Sequence, residues 1–98
     1  MAVATIHSVT ECLMPVLMQY DVHRAVLFGS VAKGTNTEKS DIDLLVDSRL
    51  QGLRFVGLLE DLQQAAGAEI DLLDVSHIRK GSPVEDEIAR TGVVIYEK

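Results

Sequence analysis

The sequence predicts a single α+β domain, one small β-sheet with helices against it, in the order α-β-(turn)-β-α-β-α-β. Three observations carry this expectation. Apolar residues recur at helical spacing near the start and in the middle of the chain. Four short apolar runs, set between turn-forming segments, read as strands. Finally, 98 residues suffice for one hydrophobic core and leave no room for a second, so the whole of 1–98 is expected to be one domain.

The elements follow in order. Ile6, Val9, Leu13, Val16, Leu17 and Tyr20 give an opening helix over roughly residues 5–20, with Pro15 expected to kink it or start a new one. Residues 23–28 form a short apolar run that ends in Gly29-Ser30, a buried strand feeding a turn. Residues 33–40 are polar and turn-forming and make an exposed loop. A second strand covers 41–46, and a helix over 52–66 carries Leu53, Val56, Leu59, Leu62 and Ala66 at helical spacing, with Gly67 as its stop. Residues 69–74 repeat the acidic-apolar pattern of the second strand. Pro83 suits the first turn of a helix over 83–90, where its missing N–H costs nothing; Gly92 ends it, and 93–96 is the last strand.

Composition narrows the function. With 47% hydrophobic and 24% charged residues the chain has the apolar content to fold, and without Trp its core must be built mainly of aliphatic side chains. A net charge of −6 argues against binding to nucleic-acid backbones, which calls for clustered Lys and Arg. The acidity serves solubility or gathers carboxylates around a divalent metal. Cys12 is the only cysteine, so an internal disulfide and a cysteine-rich zinc site are excluded; its place in an amphipathic helix predicts a core role. None of the three histidines shares metal-ligand spacing with another. No basic region precedes an apolar run at the N-terminus and no stretch reaches the ~20 apolar residues of a membrane span, so a cytoplasmic location without membrane contact is expected.

The chemistry gathers at five residues. Asp41 and Asp43 sit two apart in a predicted strand, so both carboxylates project from one face with Cα atoms ~6.5–7 Å apart. Such close like charges raise a pKa unless a cation neutralises them, and hard oxygen ligands suit Mg²⁺. Upstream, Gly29 permits close backbone approach to a ligand, and a short helix after Ser30 would offer free N–H groups to phosphate. Lys33 continues the same loop and can bring positive charge to the same phosphates. Asp71 completes a three-carboxylate cluster if its strand lies beside 41–46; three carboxylates can hold two metals ~3.5–4 Å apart, the arrangement of in-line phosphoryl displacement. Glu69 and Asp74 are outer candidates.

Gly29-Ser30, ten intervening residues and Asp41-Ile42-Asp43-Leu44 resemble the signature of the DNA polymerase beta-like nucleotidyltransferase superfamily. More narrowly, the stretches 27–34 and 40–46, with the ending Ile88 and Gly92-Val-Val-Ile-Tyr96, resemble the minimal nucleotidyltransferases. That resemblance implies a nucleotidyltransferase fold with a small mixed sheet flanked by helices, ATP as substrate, and two Mg²⁺ ions. It implies that Gly29 and Ser30 hold the triphosphate, that Asp41 and Asp43 bind both metals, and that Asp71 binds the catalytic metal and helps the acceptor lose its proton. Lys33 stands where the family often has arginine and lacks that residue's bidentate fork. The resemblance further implies the antitoxin of a toxin–antitoxin pair whose toxin is a HEPN-type RNase, neutralised by AMP added to a tyrosine and by direct binding. So small a domain, without a second lobe, calls for a partner protein or a second copy to complete the site.

Two other readings are weighed against this one. A binding module that neutralises the toxin by contact alone needs none of the five residues, yet all are present. A phosphatase of the haloacid dehalogenase type also uses Asp-X-Asp, but after a long apolar strand, whereas a polar loop and Ser40 precede Asp41 here.

Overall fold

Thr5 opens the first helix, α1 (Ile6–Gln19), through a reciprocal cap: its hydroxyl accepts from the Ser8 N–H, and the Ser8 hydroxyl accepts from the Thr5 N–H. This computed structural model describes residues 4–98. After α1 come β1 (Arg24–Phe28), α2 (Gly29–Lys33), β2 (Ile42–Asp47), α3 (Leu53–Ala66), β3 (Ile70–Asp74), α4 (Pro83–Thr91) and β4 (Val93–Glu97). A three-residue 3₁₀ turn, Val75–His77, follows β3 and is not legible in the sequence as a separate element. Gly67 closes α3 in the left-handed conformation at φ 64°, its N–H donating to the Gln63 carbonyl. At α4, Ser82 caps the helix, Pro83 fills the first turn, and acidic Glu85 and Asp86 near the start with Arg90 near the end oppose the helix dipole.

The four strands form a mixed sheet in the order β3-β2-β1-β4. β1 runs antiparallel to β2 and β4, whereas β2 and β3 are parallel and joined by α3, the crossover that parallel neighbours require. Alternation then divides the two faces. Ala25, Leu27, Ile42, Leu44, Val46 and Ile70 point to one side, where they meet Val9, Leu13 and Leu17 of α1 and Leu58 and Leu62 of α3. The other side carries Val26 and Phe28 of β1 and Asp43 of β2, with α4 packed against β1 and α2. One face of the sheet therefore holds the core, and the opposite face is left for chemistry.

Three expectations need correction. α1 runs through Pro15 as one helix, so the proline does not start a new one; the backbone bond it forgoes is to the Glu11 carbonyl, and both residues lie on the exposed side. Cys12 is exposed rather than buried, because the α1 stripe is centred on Val9, Leu13 and Leu17 and Cys12 falls on its rim, about 100° of helical turn from the centre. In α3, Leu53 is 88% exposed and Val56 47%, and the buried stripe is instead Leu58 and Leu62 with Phe55, Leu59 and Ala66 beside them. Successive steps of three residues drift about 60° each around a helix, so a run counted back from Leu62 by threes ends on the far side at Leu53.

Candidate active site

The site is built on the open face where β1 ends and β2 and β3 begin. Phe28 delivers the chain to Gly29, which turns into α2 with φ 75°, a left-handed conformation that L side chains rarely adopt. Space demands glycine here as well. A Cβ on Gly29 would stand 2.2 Å from Asp43 Oδ2, so the missing side chain is what admits the carboxylate. The Gly29 N–H is not left free: it donates to Thr91 Oγ1 at 3.0 Å, and that hydroxyl donates to the Glu87 carbonyl at 2.8 Å. α2 lasts five residues and ends at Gly34, left-handed at φ 76°.

Across the sheet, Asp43 of β2 faces Asp71 of β3 in direct parallel register and Phe28 of β1 on its other side. Neighbours in register share a face, so the two aspartates project together. Asp41 is exposed and lies just ahead of β2, which begins at Ile42. Burial pushes the half-buried Asp43 carboxyl above the usual aspartate range, and the negative charges of Asp71, Glu87 and Asp41 push it further in the same direction, in that order. Asp71 therefore weighs more on Asp43 than does its sequence neighbour Asp41.

Glu87 is the residue that sequence reasoning missed. It lies one turn before Thr91 on α4, the helix tied to Gly29, and no local pattern marks it, since its place depends on how α4 docks. The outer candidates are not drawn in. Glu69 is exposed and precedes β3, with its carbonyl accepting from the Ile42 N–H at 3.0 Å. Asp74 is a structural carboxylate, 3% exposed, that accepts from the N–H and hydroxyl of both Ser48 and Ser76 at 2.7–3.0 Å. Lys33, at the exposed end of α2, borders a surface hollow with Ile6, His7 and Asn36, and it makes no ion pair among the described residues.

Asp41, Asp43 and Asp71 offer only hard carboxylate oxygens, and a cation beside them would offset the negative charges that help raise the Asp43 pKa; the chemistry of the set fits Mg²⁺. Among the described residues no three acidic, His or Cys side chains close on one point as a complete cage. Mg²⁺ bound there would draw its remaining ligands from phosphate and water.

Comparison with known proteins decides the family. Residues 11–98 match the family described as polymerase beta, nucleotidyltransferase. The chain belongs to this family. Among curated relatives, this nucleotidyltransferase is 35% identical over 75 residues to "Putative protein adenylyltransferase MJ0435" of Methanocaldococcus jannaschii, which covers 74% of this chain and 81% of that protein. Its fold is that of a solved toxin–antitoxin crystal structure with AMP-PNP, at a TM-score of 0.74 and 23% identity over 91% of this chain and 73% of that one. It is also similar in fold to a chain of the tri-AMPylated Shewanella oneidensis HEPN toxin in complex with its MNT antitoxin, at a TM-score of 0.69 and 19% identity, covering 96% of this chain and 74% of that one. The mixed sheet and flanking helices expected of a nucleotidyltransferase are thus present. No helix among the described residues is long and apolar enough to cross a membrane.

Proposed function

We propose that this nucleotidyltransferase moves AMP from ATP, with Mg²⁺, to a hydroxyl of a partner protein, a tyrosine of a HEPN-type RNase, and so acts as an antitoxin. The observation that carries the reading is the register of Asp43 against Asp71 beside Gly29, which brings carboxylates from two strands to the turn where the triphosphate is expected. The relative named as a protein adenylyltransferase supports a protein acceptor and the solved AMPylated toxin complex a HEPN-type one, while the tyrosine is what the family resemblance implies.

In this reading Asp41 and Asp43 would hold two Mg²⁺ ions and Asp71 the catalytic one of the two; bound there, the ions would neutralise the triphosphate charge and polarise the α-phosphorus. Gly29 and Ser30 seat the triphosphate, and exposed Lys33 at the end of α2 adds charge at its edge. Asp71, exposed on the open face, accepts the acceptor hydroxyl's proton. The acceptor oxygen then bonds to the α-phosphorus, the bond to the bridging oxygen breaks, and pyrophosphate leaves. α1 and α3 cover the other face, so the acceptor approaches the side of the sheet that carries Asp43 and Asp71, and its protein supplies the remaining wall.

Incubation with α-labelled ATP, Mg²⁺ and the protein encoded by the neighbouring gene tests the proposal. Label is expected on the partner with wild type and not with Asp41→Ala/Asp43→Ala. No transfer by the wild type refutes it, and full neutralisation of the toxin in cells by the double variant replaces it with neutralisation by contact.

A further inference from the structure

Gly29 is buried, and its N–H meets a single group, the Thr91 hydroxyl. That hydroxyl is itself aimed, because its proton is committed to the Glu87 carbonyl and a lone pair is left for Gly29. None of the residues of α4 is fully buried, and the helix packs chiefly on β1 and α2. At its end Gly92 sits so close to Val26 that an added Cβ would lie 3.0 Å from Val26 Cγ1 and 2.5 Å from the Ile88 carbonyl. Gly92 thus leaves no room for a side chain where α4 passes into β4, and the Thr91–Gly29 bond is the side-chain tie from α4 to the turn.

We propose that Thr91 is a positioning residue of the nucleotide site: its hydroxyl holds Gly29 in the left-handed turn against Asp43. The inference rests on the reading of this site as an ATP site. It assigns work to the hydroxyl and not to the bulk of the side chain. Serine, which keeps the hydroxyl, should therefore substitute for threonine, and valine, which keeps the shape, should not.

The test uses the full chain with Thr91→Val and Thr91→Ser, each shown folded by its melting curve at the working temperature. ATP affinity in the presence of Mg²⁺ is measured by calorimetry, and the Gly29 amide is followed by NMR. Thr91→Val is expected to weaken ATP about tenfold and to shift the Gly29 amide, the effect of losing one buried hydrogen bond. Thr91→Ser should stay within about twofold of wild type. A valine variant that binds ATP like wild type, or a serine variant that loses as much as valine, overturns the proposal. Should the valine variant fail to fold, the wild type and serine variant decide: a Gly29 amide that exchanges as fast as an exposed one overturns the proposal, and protection in both supports it. A wild type that binds no ATP refutes the ATP-site reading and this inference with it, whereas equal binding by wild type and Thr91→Val refutes the role of Thr91 alone.

Discussion

Gly29→Ala adds one methyl group at the point where two separate constraints meet. The first is backbone: φ 75° is a conformation that costs an L-residue about 1–2 kcal/mol. The second is contact: the new Cβ would fall 2.2 Å from Asp43 Oδ2, so either the turn or the carboxylate must move. Gly34→Ala separates the two, since Gly34 has φ 76° but a Cβ added there would meet no atom within 4 Å. For a domain of this size 1 kcal/mol shifts the melting midpoint by about 4–8 °C, so Gly34→Ala should lose about 4–16 °C and Gly29→Ala at least as much. Function should divide them more sharply. Displacing Asp43 by about an ångström is expected to cost about a hundredfold in transfer rate, while Gly34→Ala keeps its rate within a few-fold. Thermal melts by circular dichroism and label transfer well below both midpoints make the comparison. Equal transfer rates for the two variants would refute the claim that Gly29 is there to admit Asp43.

Further outcomes follow from the same geometry. Asp43→Asn should lower transfer by about two to three orders of magnitude yet leave the melting midpoint unchanged or higher, because it removes a charge that burial, Asp71, Glu87 and Asp41 all disfavour; a large loss of stability would count against that crowding. Asp74 carries the opposite sign. Burial alone would raise its pKa, but bonds from Ser48 and Ser76 outweigh this and hold it below the usual aspartate range. Its contribution to stability is therefore complete above the ordinary pKa of about 3.9 and lost as pH falls through the lower folded value, so a melting-point profile should drop there in wild type and flatten in Asp74→Asn. Leu58→Ala should cost about 2–5 kcal/mol in chemical denaturation and Leu53→Ala under about 0.5, which tests where the buried stripe of α3 lies.

Much of this architecture is legible in the chain because it is local. The opening helix, the stop at Gly67, the proline start at Pro83 and the strands around Leu27 and Leu44 each announce themselves through spacing, capping or glycine. What lies beyond local spacing is less legible. Asp41 and Asp43 pair by sequence alone, yet the stronger charge on Asp43 comes from Asp71, through a register that only the strand order creates. Glu87 and Thr91 carry no signal, because an acidic residue and a threonine on an amphipathic helix serve equally well facing solvent. Leu53 and Cys12 show the converse error, apolar residues whose spacing almost fits a stripe that turns away from them.

The pairing of β1 with its two neighbours has a kinetic side. β1 meets β2 through a modest loop, but it meets β4 from far along the chain, Arg24 against Glu97, and the Gly29–Thr91 bond spans 62 residues. Contacts of such separation must offset a larger closure entropy and tend to form late in folding. A chain that has assembled β1, β2 and β3 already has Asp43 beside Asp71, but its Gly29 turn is still untethered. On the proposed reading of the site, the expected order is that Asp43 meets Asp71 before the Gly29 turn is tethered, so that competence for catalysis comes late in folding.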